Sequence, residues 1–326
     1  MTIFQSLRRR VLTPNVRQTR MDVRGFHVKS PEARDRLETV GRYFLTGYAI
    51  AAEVPHPADA DARLTDVPHA YRGFAYEGAA MAFAVRDGLP VGGGHHVEDF
   101  LAGPADAHIY MAYVGVGWAM ARVPRFRWPS LYAPDPLLRW LVLDGYGFHQ
   151  AYFKTRQYVD ECYQADTFPW PADGPAWYAN RAIDQGVGRA TWFVCGTDPR
   201  RVVKTFDRFD ERRRADLYAG AGLAATYAGG SDEAELAWFK DAAGSYAGDV
   251  AQGSAFAAGA RVRAGLVVAH NEVATQVLCG QSTAGAAKVT DEALVGLPFD
   301  DEVPAYEIWR LRIKAALTGR VEGDLR

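Results

Sequence analysis

Long apolar blocks with helical spacing alternate along this chain with shorter, more polar ones. Ser30-Pro31-Glu32 is a start signal: a serine cap, proline at the first helical position, then an acid. It opens a helix through LETVGRYFLTGYAIAAE. Similar long helices are predicted over Tyr71–Asp87, Ala107–Val123, Pro136–Thr155, Pro175–Cys195, Asp210–Ala228 and Gly248–Ala264. Shorter polar helices fall between them, in HHVEDFLAG, DPRRVVKTFDRF and DEAELAWFKDAAGSY, the last two capped by Thr197-Asp198-Pro199 and Ser231-Asp232-Glu233. Period-two alternation over β-branched runs is almost absent, so strands are not expected.

Each long block carries a glycine followed four positions later by a small residue. The copies read TGYAIA, EGAAMA, VGVGWA, DGYGFH, QGVGRA, AGAGLA and QGSAFA. Their glycines, Gly47, Gly78, Gly115, Gly145, Gly186, Gly220 and Gly253, are separated by 31, 37, 30, 41, 34 and 33 residues. Self-similarity at this period marks a repeat architecture. An interior glycine costs a helix about 0.5–1 kcal/mol relative to alanine, so seven of them need an offsetting gain. Positions i and i+4 share a helix face. The i+4 residues Ala51, Ala82, Ala119, Ala190, Ala224 and Ala257, with His149 as the exception, leave a groove into which a neighbouring helix fits. The expected fold is a single all-α domain over residues 1–326. It is a helical-hairpin repeat array, an α-solenoid or an α/α toroid, with about seven long glycine-containing helices. An N-terminal arm (1–29) precedes it, and a C-terminal capping helix and tail (303–326) close it.

Composition narrows the function classes. A hydrophobic content of 48% supports a sizeable core, and a formal net charge of −2 gives no electrostatic case for nucleic acid. Cys162, Cys195 and Cys279 form no CxxC pair, which fits a reducing cytoplasm. No window is long and apolar enough for a membrane span, so an integral membrane protein is not expected. Arg8, Arg9 and Arg10 are either a solvated turn or a contact for a membrane surface or acidic partner. Loops are expected at Pro90–His96 and in two Pro- and aromatic-rich stretches around Trp128 and Trp170. Insertions of this kind tend to fall on the binding face of a repeat protein, and these two are expected at the mouth of a site.

Candidate chemistry lies where the copies diverge. The residue before each glycine is Thr46, Glu77, Val114, Asp144, Gln185, Ala219 or Gln252, and Asp184 adds an acid one step earlier. Buried carboxyls have raised pKa values, so Glu77, Asp144 and Asp184 are candidate general acids or bases. The alternative is structural pairing with helix termini or with Arg72, Arg139 and Arg181. His149 is either a hydrogen-bonded core histidine or a proton donor in a cavity. Asp144 and His149 lie about 140° apart round a helix, a poor geometry for one metal. Gln185, Gln252, Tyr146, Tyr113 and Trp118 are candidate ligand contacts. His95 and His96 follow three glycines, but no strand precedes them and no Lys-Ser/Thr follows, so this is not a nucleotide loop. No motif for a metal, flavin or nicotinamide is present, and no cofactor is expected.

The stretches SLRRRVLTP, RGFHV, FAYEGAAMA, HIYMAYVGVGWAMAR, PLLRWLVLDGYGFHQAYF, RAIDQGVGRATWFV, GLAATYAGG and VPAYEIWR together resemble the UnbL-type proteins of actinobacterial enediyne biosynthesis gene clusters. The resemblance covers nearly the whole chain and carries over no catalytic residue. It implies a role beside the enediyne polyketide synthase and a long, linear, apolar polyene as ligand class. Two expectations follow. One is a cofactor-independent enzyme or chaperone that folds or protonates the polyene in a tunnel. The other is a helical-repeat scaffold that joins pathway enzymes through an exposed aromatic face.

Overall fold

The computed structural model describes residues 13–89, 94–170 and 172–319. Arg8–Arg10, Pro90–Gly93 of the histidine loop and the last seven residues lie outside the described residues. The described residues form helices and loops without a strand. Seven long helices follow one another: α1 Pro31–Glu53, α2 Arg72–Asp87, α3 Ile109–Met120, α4 Trp140–Phe153, α5 Ala179–Val194, α6 Glu211–Tyr227 and α7 Ala247–Arg263. Three more complete the chain: α8 Ala269–Cys279, α9 Thr283–Glu292 and α10 Ala305–Thr318. The caps sit where the sequence puts them. Ser30 accepts from the Ala33 N–H at 3.1 Å, Asp198 caps the short helix Pro199–Phe206, and Asp232 forms a reciprocal capping box with Glu235.

Each long helix packs on the next, and glycine makes that approach possible. A Cβ on Gly186 of α5 would fall 2.6 Å from the Phe148 N of α4 and closer still to the Asp144 carbonyl oxygen. Reciprocally, a Cβ on Gly147 of α4 would overlap the Ile183 carbonyl of α5. The pattern recurs at Gly117 with Gly145, Gly188 with Gly220, and Gly222 with Gly253. From the second copy on, the first glycine faces the preceding helix, and in α3, α4, α5 and α6 a second glycine two residues later faces the following one, while Gly47 of α1 faces α2. Two residues turn a helix by about 200°, so these four helices are gripped on opposite sides. The i+4 stripe expected from the sequence is one half of this device, and the glycine at i+2 is the other. Close packing of this quality is the gain that offsets the propensity cost.

The two ends of the array meet. Arg36 Nη1 at the start of α1 donates to the Ala228 carbonyl after α6 at 3.2 Å, and Arg261 Nη1 of α7 donates to the Ala70 carbonyl before α2 at 3.0 Å. The Phe74 and Tyr227 rings meet edge-on at 5.1 Å. The array therefore closes around an interior. The C-terminal helix α10 does more than cap: Arg310 and Lys314 reach Asp216 of α6 and Asp249 of α7 at 2.7 and 2.8 Å. Helices α8 and α9 were not foreseen, because QVLCGQSTAGAAK is short and rich in small residues and shows little periodicity.

Candidate functional site

The register of the repeat decides what faces the interior. Counted from each repeat glycine, the residues at −4, −1, +3 and +7 lie on one helix face. At +3 stand Ile50, Met81, Trp118, Phe148, Arg189, Leu223 and Phe256, and all but Ile50 line a common cavity. The +7 row adds Arg122, Tyr152, Phe193, Tyr227 and Ala260, and the −4 row adds Phe74, Met111 and Leu141. From the −1 row come Glu77 and Val114. The cavity encloses about 1320 Å³ of empty space, including the part open to solvent. Helix α3 alone contributes Tyr110, Met111, Val114, Trp118 and Arg122, a stripe about 18 Å long at 1.5 Å per residue. The site is thus an elongated tunnel with aromatic and aliphatic walls. Pro14, Gln18 and Gly41 border one end, and Thr290 and Trp309 the other.

Two buried charged groups break the apolar wall midway. Arg189 ion-pairs with Asp144 Oδ1, and its other terminal nitrogen stands 3.8 Å from Glu77 Oε1. The guanidinium lies over the Phe148 ring at 5.0 Å, which supplies a weak cation–π contact. One cation thus stands between two buried carboxyls, so full ionisation of both would leave an uncompensated charge. Asp144, in direct contact, is the better neutralised, although burial pushes its pKa up. Glu77 is pushed up to about 7, first by burial, with Arg189 pulling it down and Asp144 pushing it further up. Tyr227, close enough to feel the charges of Glu77 and Arg189, has a buried hydroxyl without a hydrogen-bond partner.

The other sequence candidates separate into different environments. Asp184 is paired with Arg213 at 2.7 Å and accepts from Gln164 at 2.9 Å. Arg213 also donates to the Cys162 carbonyl at 2.5 Å, so the group ties a loop down away from the tunnel. Burial pushes Asp184 up to about 6, offset by Arg213. Gln185, its neighbour in sequence, joins a second network in which Arg181 and Arg310 balance Asp216 and Glu307, with Tyr178 and Tyr306 as hydrogen-bond partners. Gln252 accepts from Arg310 Nε at 3.1 Å in the same network. These side chains lock α10 onto α5, α6 and α7. The arginines foreseen as structural partners are used elsewhere. Arg72 donates to the Val67 carbonyl, Arg139 pairs with Asp300, and Arg181 pairs with Asp216 and Glu307.

His149 packs edge-on to Trp118 at 5.5 Å and against Phe153 at 4.7 Å, with neither ring nitrogen hydrogen-bonded. Burial first, then Arg122, Lys154 and Arg24, push it down to about 3. At neutral pH it is a neutral imidazole and not a charged proton donor. It does not approach Asp144 as a co-ligand, and no cluster of metal-binding side chains exists among the described residues. Trp118 lines the tunnel. Tyr113 instead accepts from the Asp135 N–H at 3.0 Å, and Tyr146 packs against Trp128 and Phe168. The loops around Trp128 and Trp170 do not form the tunnel mouth. Trp128 stacks on Phe168 and Trp170 on Trp140, which seals the outside of α4. His96 is held by Asp87 at 2.6 Å and Arg86 at 2.7 Å, and His95 by Glu98 at 2.9 Å.

Sequence reasoning missed Arg189. The signal was present: it is the one charged residue in the +3 row of seven copies. No helix among the described residues is long and apolar enough to cross a membrane. No curated protein and no solved structure matches the chain. The family model described as "Protein of unknown function (DUF1702)" matches residues 3–317, and the chain belongs to that family.

Proposed function

We propose that this protein holds an elongated apolar molecule in the interior tunnel and presents it to Glu77. The observation that carries the reading is the tunnel itself. It runs about 18 Å along α3 between aromatic walls, and its one midway carboxyl titrates near neutrality. A carboxyl with a pKa of about 7 is matched to giving or taking a proton without a cofactor. Arg189 faces the same space and would stabilise negative charge that develops beside it. The resemblance to enediyne-pathway proteins supports a linear polyene as the chain held there. The inward-facing aromatic rows favour this reading over the scaffold, which needs them on an exposed face.

The test is a titration with the methyl ester of a long, linear conjugated tetraenoic acid, followed by its fluorescence outside water. The wild-type protein is expected to bind one equivalent. Leu223→Trp, which places a larger ring in the +3 row, is expected to keep its helical circular dichroism and lose binding. Absence of binding by the wild type, or equal binding by Leu223→Trp, overturns the proposal.

A further inference from the structure

Three of the four inward rows have one charged exception to apolarity in the tunnel wall. In the −1 row the tunnel-lining exception is Glu77, and in the +3 row it is Arg189. In the +7 row, where Val54, Val85, Tyr152, Phe193, Tyr227 and Ala260 stand in the other copies, it is Arg122. Arg122 lines the tunnel and is exposed at its rim. Its side chain makes no ion pair and no hydrogen bond among the described residues, unlike those of Arg189, Arg213 and Arg310, which are all paired with carboxylates. Two more cations share that end. Arg24 donates to the Tyr152 and Phe153 carbonyls at 2.8 and 3.0 Å, and Lys154 follows α4 directly. All three lie close enough to depress the buried His149. The nearby acid, Glu38, is engaged by the Met21 N–H at 3.0 Å. This rim therefore carries excess positive charge next to an apolar tunnel. At the opposite end the charges are matched, Arg181, Arg310 and Lys314 against Asp216, Glu307 and Asp249.

We infer that the tunnel takes a long-chain carboxylic acid, with its carboxylate seated on Arg122 at the rim and its chain running inward past Glu77. The inference rests on the tunnel-binding reading and names its substrate class. It also fixes a direction. Along α3, Arg122 is one turn, about 6 Å, from Trp118, and Trp118 is about 12 Å from Tyr110. An acid anchored at Arg122 places Glu77 against the part of the chain nearer its head, with the tail toward Trp309. The buried, unpartnered Tyr227 hydroxyl is a second polar contact on that path, suited to an oxygen or double bond along the chain.

The experiment compares the tetraenoic acid with its methyl ester on the wild type, Arg122→Gln and Arg122→Lys. On the wild type at low salt the acid is expected to bind about tenfold tighter than the ester, the factor a charge-assisted hydrogen bond at a partly solvated site supplies. The preference should shrink as salt rises. Arg122→Gln is expected to remove it, so that acid and ester bind equally to that variant, and Arg122→Lys to restore most of it. Equal binding of acid and ester by the wild type, or a preference that survives in Arg122→Gln, overturns the carboxylate assignment while tunnel binding stands. Failure of both probes to bind the wild type overturns the tunnel reading as well.

Discussion

Replacing Glu77 with glutamine should stabilise the protein, increasingly as pH rises from about 4.5 to about 7. Glu77 is fully buried and ionises at about 7 in the folded chain against an ordinary 4.5. At about 1.4 kcal/mol per pH unit, that displacement corresponds to about 3 kcal/mol of folding free energy. The sign follows from the direction. A raised carboxyl pKa means that the folded state binds the proton more tightly than the unfolded chain. Below pH 4.5 both states are protonated and Glu77 costs nothing. Between 4.5 and about 7 the unfolded chain ionises first, and the penalty grows to its full value above 7. Glu77→Gln keeps the shape and removes the ionisation, while Arg189 keeps its pairing with Asp144. Urea unfolding of both proteins from pH 4 to pH 8 measures the difference. The variant is expected to match the wild type at the acid end and to exceed it by about 2–3 kcal/mol at the other. A variant less stable than the wild type at pH 8 would show that Glu77 is ionised and needed by Arg189, which would refute the proton-holding role.

Two further substitutions probe the framework. Gly186→Ala gains up to about 1 kcal/mol of helix propensity but drives a methyl into the α4 backbone, so a net loss of about 1–3 kcal/mol is expected in thermal unfolding. Gly248→Ala, whose Cβ would meet the flexible Lys314 and Thr318 side chains at 3.0–3.2 Å, is expected to change stability by less than about 0.5 kcal/mol. Equal effects would show that the glycines do not set the helix–helix approach. His149→Phe is expected to be neutral or stabilising by about 1 kcal/mol, because it removes two buried ring nitrogens without partners from an aromatic pocket. A loss of more than 2 kcal/mol in the same assay would reveal a polar contact of the ring.

Much of the scaffold was legible in the sequence for a local reason. Caps such as Ser30, Asp198 and Asp232 act within four residues, and a glycine period survives in a single chain. The site was legible only in part. Polar residues before the glycines identified the interior face, yet their partners come from helices far apart in sequence. Asp144 and Arg189 are 45 residues apart, and Arg310 and Asp216 are 94 apart. Adjacent residues part company for the same reason. Asp184 and Gln185 differ by about 100° round α5, enough to send one to a peripheral loop and the other to the α10 lock. Reading the copies as aligned rows, with Arg122, Arg189 and Glu77 as the odd members, recovers the tunnel chemistry that single-motif reading passes over.

Whether an elongated chain lies in the interior is decided by a crystal structure of the protein saturated with the tetraenoic acid. Continuous ligand density is expected from Arg122 past Trp118 and Glu77 toward Trp309, with the carboxylate at the Arg122 rim. Ligand bound only on the outer surface, with the Trp118–Phe148–Phe193 walls collapsed onto one another, would contradict it.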